Sequence, residues 1–547
     1  MDNGNPEKNE GLPHRRVPST VRSQQEQTPP DETKRRTSSG SGREVKTAVL
    51  AIGIPALVAV VGIAALVMWV VRDREAVDVE ARAPERPTSA TTASEPQAEA
   101  EQSQPSTDGG SDAPAGAGTG ADSSAGATPP DQGGEAAAPT ASTPTAATRS
   151  GGTAANLPGS WPRFRGANFD NISTERVGLA RSWTSGPRRL WAVKLGQGYA
   201  GAAVQDGRVY VLDYDESARA DVLRCLSLAD GKQIWGQAYS VELKENHGLS
   251  RTVPAVAGDY VVTIGPKCHV MCCRATSGER LWGIDLHKAY GTKVPPWYAG
   301  QCPLIDNGKA IIAPGGSALM IAVDCATGKV LWQTPNPRGW KMTHSSIIPM
   351  KLGGQRVYVY PASGGVVAIS PSDGRLLWEF SDWTVNTANA PSPVPIGDGR
   401  IFLCGGYGAG SMMIKVAGAK VSSLGHIGQN VFGSHQQTPI LYNGYLYGVS
   451  IGDQQLVCLD LKGNRVWSSG HTAKFGLCPY LIAEGIIYVL DEGGNLTLVE
   501  ANPSGYKQLA QAKVLDGSHP WGPMALVGGR LICRDMSTMV CLDVKSG

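Results

Sequence analysis

Eight copies of one short pattern divide most of this chain, and that periodicity constrains the fold more than any single motif. Cys225–Trp235 (CLSLADGKQIW), Cys272–Trp282 (CCRATSGERLW), Ala322–Trp332 (AVDCATGKVLW) and Ala368–Trp378 (AISPSDGRLLW) align directly, and Cys458–Trp467 (CLDLKGNRVW) is one residue shorter. Degenerate copies lie near Ile414–Leu424 and Leu498–Leu509, and CLDVKSG is an incomplete copy from Cys541 to Gly547. The starts, at 225, 272, 322, 368, 414, 458, 498 and 541, are about 45 residues apart. At such a period each repeat is one supersecondary unit that buries its apolar face only against its neighbours.

Each copy reads strand, turn, strand. Asp-Gly, Ser-Gly or Thr-Gly supplies the positive φ of a hairpin turn, and a bulky apolar pair ending in Trp fills the strand that follows. An apolar strand precedes each copy, as in Val209–Leu212, Tyr260–Ile264 and Val357–Tyr360. Before it comes another short strand, usually holding a proline: Pro254, Pro303, Pro349, Pro393, Pro439 and Pro479, with Ala203 and Met524 at the equivalent places. Four strands per repeat without an amphipathic helix predict an all-β fold, an eight-bladed β-propeller; a seven-bladed ring or a β-sandwich is the alternative. The last copy lacks its Trp strand, while Arg189–Val193 (RLWAV) is a Trp strand without a partner. Joining the two would close the ring and leave no open edge.

These residues resemble a known family. AVDCATGKVLW at 322–332 fits A-x-D-x-x-T-G-x-x-x-W, the tryptophan-docking repeat of quinoprotein dehydrogenases, and Trp161–Gly166 (WPRFRG) resembles a leader found before many PQQ-like repeat propellers. The resemblance covers residues 161–547 and implies an eight-bladed, quinoprotein-like propeller. It also implies that Trp191, Trp235, Trp282, Trp332, Trp378 and Trp467 are structural, docking between adjacent blades. The superfamily includes both enzymes that use pyrroloquinoline quinone (PQQ) with calcium and the non-catalytic assembly lipoprotein BamB, so the repeat does not decide function.

Composition divides the remainder. Of 35 aromatic residues, 34 lie beyond residue 157, as do all 11 Cys. Residues 1–46 have no aromatic residue and read as a disordered cytoplasmic tail. Residues 47–71 carry no charge; as a helix they would span about 37 Å, enough for one transmembrane crossing. Lys34, Arg35, Arg36, Arg43 and Lys46 precede this run, whereas acidic residues predominate after it. The expected topology is therefore a single-pass inner (plasma) membrane protein with a cytoplasmic N-terminus and a periplasmic or extracytoplasmic propeller. Residues 72–157 read as an Ala/Ser/Thr/Gly/Pro-rich acidic linker, leaving 158–547 for the propeller. The chain's net charge of +2 argues against a strongly basic nucleic-acid binder, but it conceals a propeller of +8, which biases partners toward acidic surfaces.

No hydrolase elbow, P-loop, HExxH or C-x-x-C spacing occurs, and no catalytic residue or metal ligand set stands out. Cys272 and Cys273 are adjacent, like the vicinal pair of quinoprotein dehydrogenases. Strand alternation, however, would send them to opposite faces as core thiols. The sequence offers a channel mouth instead. Loops leading into the innermost strands hold Tyr199, His247, Arg251, Trp297, Gln301, His344, Asn389, His435, Gln436, Lys474, His519 and Trp521, a set suited to a peptide or small polar ligand. The expectation is a non-enzymatic, BamB-like interaction scaffold with envelope proteins or peptides as partners, no nucleic acid and no cofactor. A PQQ- and calcium-dependent dehydrogenase and a ligand-sensing ectodomain are the alternatives.

Overall fold

The computed structural model describes residues 145–546. The tail at 1–46, the span at 47–71 and most of the linker lie outside the described residues. Among the described residues no helix is long and apolar enough to cross a membrane.

The described chain is an eight-bladed β-propeller. Each blade is an antiparallel four-stranded sheet, and the sheets follow one another in chain order around the ring. Blade 1 comprises Ala203–Gln205, Arg208–Asp215, Ala220–Ser227 and Gln233–Ser240, from inner to outer strand. The inner strands of blades 2 to 8 begin at Ala255, Leu304, Ile348, Val394, Ile440, Tyr480 and Ala525. Arg188–Lys194 is the outer strand of blade 8, paired with Thr538–Asp543 in the register Trp191↔Cys541, so the closure expected from the sequence is present. Among the described residues there is no single central core. Buried apolar residues form a chain of clusters between neighbouring sheets, with blades 2 and 3 sharing one and blades 6 and 7 another.

The repeat's residues explain that packing. In blade 3, Asp324 Oδ1 accepts from Thr327 N (2.8 Å) and Thr327 Oγ1 (2.7 Å), which fixes the turn before Gly328 at φ 75°. The turn is wider than a tight hairpin, because a β-bulge separates Ala322 from Val323, and equivalent register shifts recur from blade to blade. In blades 1 to 4 each bulge brings the turn glycine under the Trp of the preceding blade. A Cβ on Gly231, Gly278, Gly328 or Gly374 would stand 2.4–3.0 Å from the ring of Trp191, Trp235, Trp282 or Trp332 respectively. Trp191 Nε1 then donates to Leu228 O (3.0 Å), Trp282 Nε1 to Cys325 O (2.9 Å) and Trp467 Nε1 to Asn502 O (2.9 Å). Trp378 is buried among blades 4 and 5 but does not sit on Gly418, the turn glycine of the degenerate copy.

Two segments differ from the sequence reading. Residues 145–157, assigned above to the linker, lie on the propeller. Thr148–Arg149 adds a fifth strand to blade 1 (Thr148↔Gly236, Arg149↔Trp235), Thr145 bridges to Arg280 of blade 2, and Ala155 N donates to Gly207 O (3.1 Å). Small residues permit this approach; a Cβ on Gly152 would stand 2.6 Å from Lys232 O. The unpaired edge of an outer strand supplies the driving force. The WPRFRG leader, for its part, crosses the central channel. Trp161 exchanges backbone hydrogen bonds with Val204 of blade 1, and Pro162 O accepts from Val256 N of blade 2. Phe169 packs against clusters of blades 3 to 5. Arg165, 3% exposed, donates to Phe169 O (2.8 Å), Thr438 O (3.1 Å) and Pro439 O (3.4 Å) at the entry to blade 6. Ile172–Ser173 then runs parallel to the inner strand of blade 7.

Candidate functional site

Because the leader blocks the channel, its open end is a blind cavity of about 270 Å3 with Phe164 in its wall. Apart from Tyr407, the other lining residues come from the loops that lead from one blade's outer strand into the next blade's inner strand. Of the twelve mouth residues expected from the sequence, Tyr199, His247, Arg251, Trp297, His344, His435, Gln436 and Trp521 line it. His519 stacks on Trp521 at 4.3 Å. The remaining three are placed elsewhere. Gln301 is fully buried, its amide spent on Ala313 O, Ala313 N and Tyr360 Oη. Lys474 is exposed and bridges to Gln455. Asn389 is 4% exposed between the lining residues Ala388 and Ala390, and both atoms of its amide lack a hydrogen-bond partner.

The walls are mostly aromatic. Tyr199 stacks on Trp521 at 5.2 Å and Tyr407 on His435 at 4.4 Å. The rings of Trp297 and Tyr407 are nearly parallel, 14° apart with centroids separated by 6.5 Å. His247, Trp297, Tyr407 and His519 all hold φ between 52° and 59°. Bulky side chains seldom adopt this region and retain it only where surrounding structure imposes it. Sequence reasoning missed Tyr407 and Phe164. Tyr407 lies on the hairpin between the second and third strands of blade 5, inside the glycine-rich run GGYGAG, and Phe164 lies in the leader.

One cation serves the cavity. Arg251 stacks over Tyr199 at 4.9 Å. Its Nε donates to Trp297 O, and one terminal nitrogen, Nη2, donates to the carbonyls of Asn246 (3.3 Å), His247 (2.6 Å) and Gly248 (3.3 Å). Burial lowers its pKa to about 10, so it stays charged at neutral pH. Burial, with Arg251 beside it, pulls His344 down to about 4, and burial also lowers His435; His344 is therefore neutral at pH 7. Burial raises the Cys302 thiol to about 11, which leaves it protonated and a poor nucleophile.

The residues do not fit the quinone and calcium chemistry of the resembling enzymes. No carboxylate lines the cavity, and among the described residues no group of three or more His, Cys, Asp or Glu could hold a metal ion; a calcium ion takes oxygen ligands, carboxylates foremost. Cys272 and Cys273 face separate clusters on opposite sides of their strand, each a free buried thiol.

Comparison with known proteins agrees with the repeat. The family model described as outer membrane protein assembly factor BamB matches residues 218–469, from blade 1 to blade 6. The chain is 22% identical over 282 residues to outer membrane protein assembly factor BamB of Moranella endobia (strain PCIT), covering 48% of this chain and 69% of that protein. It is 23% identical over 256 residues to the protein of the same name from Yersinia pestis, covering 44% of this chain and 62% of that one, less than two thirds of its length. Among solved structures, a europium-containing methanol dehydrogenase superposes with a TM-score of 0.51 at 13% identity, over 69% of this chain and 89% of that one, a likeness of fold alone. Repeat and topology make this chain an eight-bladed β-propeller, and over residues 218–469 it is similar to the BamB family.

Proposed function

We propose that this chain is a non-enzymatic, membrane-tethered scaffold that presents its propeller to envelope proteins, with the blind cavity as a contact site. The observation that carries this reading is the composition of the cavity wall. It has stacked rings, a neutral imidazole at His344, a protonated thiol and one arginine, but no carboxylate to hold a metal. Such a surface suits contact rather than metal-assisted chemistry. The two relatives bear the name outer membrane protein assembly factor, which supports partners drawn from envelope assembly and an extracytoplasmic propeller. The apolar run at 47–71 supports the tether.

The test is reconstitution of the full-length chain with PQQ and calcium, assayed by dye-linked oxidation of alcohols and sugars, alongside cross-linking of the chain in its native membrane. The scaffold reading expects no turnover and a discrete cross-linked protein partner. Quinone absorbance with turnover, and no partner, would overturn it.

A further inference from the structure

The scaffold reading leaves open what the cavity recognises, and the following rests on the cavity being a contact site. Arg251 forms no ion pair among the described residues. Its Nε and Nη2 are spent on carbonyls, while Nη1 has no hydrogen-bond partner there. The nearby carboxylate at the rim, Glu492, does not line the cavity; it accepts from Trp521 Nε1 (2.8 Å) and Leu477 N (2.9 Å). A largely buried cation without a counter-ion is costly unless a ligand supplies one. Two more polar groups in the wall, the Tyr199 hydroxyl and His344 Nε2, are buried without partners, although buried polar atoms are ordinarily satisfied.

The ring geometry adds a second requirement. Trp297 and Tyr407 are nearly parallel, with ring centroids 6.5 Å apart. They offer aligned aromatic faces against which a planar ring can stack. A cavity of about 270 Å3 is below the roughly 300–1,000 Å3 of sites that enclose a whole drug-sized ligand. It suits an end group.

We propose that the cavity binds a carboxylate carried on an aromatic group, with the carboxylate on Arg251 Nη1 and the ring stacked against the Trp297 and Tyr407 side chains. Tyr199 and His344 are placed to share the carboxylate oxygens. Two sources carry this chemistry: the C-terminal aromatic residue of a polypeptide and a free aryl acid.

The experiment is calorimetric titration of the full-length chain with N-acetylphenylalanine, its C-terminal amide and N-acetylleucine. The proposal expects saturable binding of the aromatic acid, at least tenfold weaker binding of the amide, and at least fivefold weaker binding of the leucine compound. Equal binding of acid and amide, or no saturable binding of any acid at millimolar concentration, would overturn it. Arg251 also braces the 246–248 loop, so R251Q alone is an insufficient test. The acid–amide comparison on the unaltered protein avoids that difficulty. Y407A, at a side chain 38% exposed, should erase the preference for phenylalanine over leucine while leaving circular dichroism unchanged; an unaltered preference would count against ring stacking there. Titration with a pentapeptide ending in phenylalanine and with phenylacetate separates the sources, since the true source binds the tighter. If the N-acetyl probes fail, this assignment falls and the scaffold reading stands. If quinone turnover is found, the scaffold reading falls and the acid–amide result still stands or falls by itself.

Discussion

A glycine under a tryptophan is the smallest unit of this fold. Gly278 lies in the left-handed region at φ 76°, and a Cβ there would stand 2.5 Å from the Trp235 ring. The same position in blade 5, Gly418, has φ 62° but nothing within 4 Å. The pair separates backbone strain from steric exclusion. Gly418→Ala should cost about 1–2 kcal/mol, the strain of placing an L-residue in that region. Gly278→Ala should cost that amount plus roughly 1–3 kcal/mol for an overpacked interface. Urea midpoints of the two variants check this, and equal losses would show that the ring does not confine the glycine. At this scale the sequence was legible wherever residue identity fixed location. The loop histidines and tryptophans were readable because each falls just before an inner strand. Gln301 and Lys474 occupy similar positions in sequence, but one side chain turned inward to satisfy Ala313 and the other outward to solvent. Spacing does not encode that choice.

At the scale of the element, a strand can carry a charge into the core only if its neighbours compensate. Asp221, on the third strand of blade 1, is fully buried and accepts from Tyr239 Oη (2.9 Å) and Ser250 Oγ (3.1 Å). Burial outweighs those two bonds and pushes its pKa up to about 7. A carboxyl raised in the fold binds its proton more tightly folded than unfolded, where it titrates near 3.9. Its contribution to stability is therefore full below about pH 4 and declines as pH rises to about 7, by at most ~1.4 kcal/mol per pH unit. The melting temperature of the native protein should fall from pH 5 to pH 8, and that of Asp221→Asn should change less over the same range. Parallel curves would contradict the assignment. The leader is also an element, but its role was not legible. WPRFRG carries a familiar pattern, yet nothing in its spacing says that a segment before the first repeat crosses the channel. That path depends on Arg165 reaching the carbonyls of Thr438 and Pro439, more than 270 residues away.

For the whole molecule, eight equal repeats and one displaced Trp strand were enough to specify ring size and closure, because an unpaired edge has few stable outcomes. The extra strand at Thr148–Arg149 escaped notice because its segment has the small-residue composition of a linker, while the edge that captures it lies elsewhere in the chain. What the ring builds is a blind, ring-lined cavity on one face and an outer rim where Leu331, Leu376, Leu424 and Val466 are 40–55% exposed. The proposed working surface is the cavity face rather than the rim. Site-specific photo-cross-linking tests it most directly, with a benzophenone amino acid placed at Tyr407 or at Leu424 in the full-length chain in cells. The account predicts a discrete adduct from position 407 that an aromatic acid competes away, and no such adduct from position 424. An adduct from 424 alone, or one from 407 unaffected by the competitor, would contradict it.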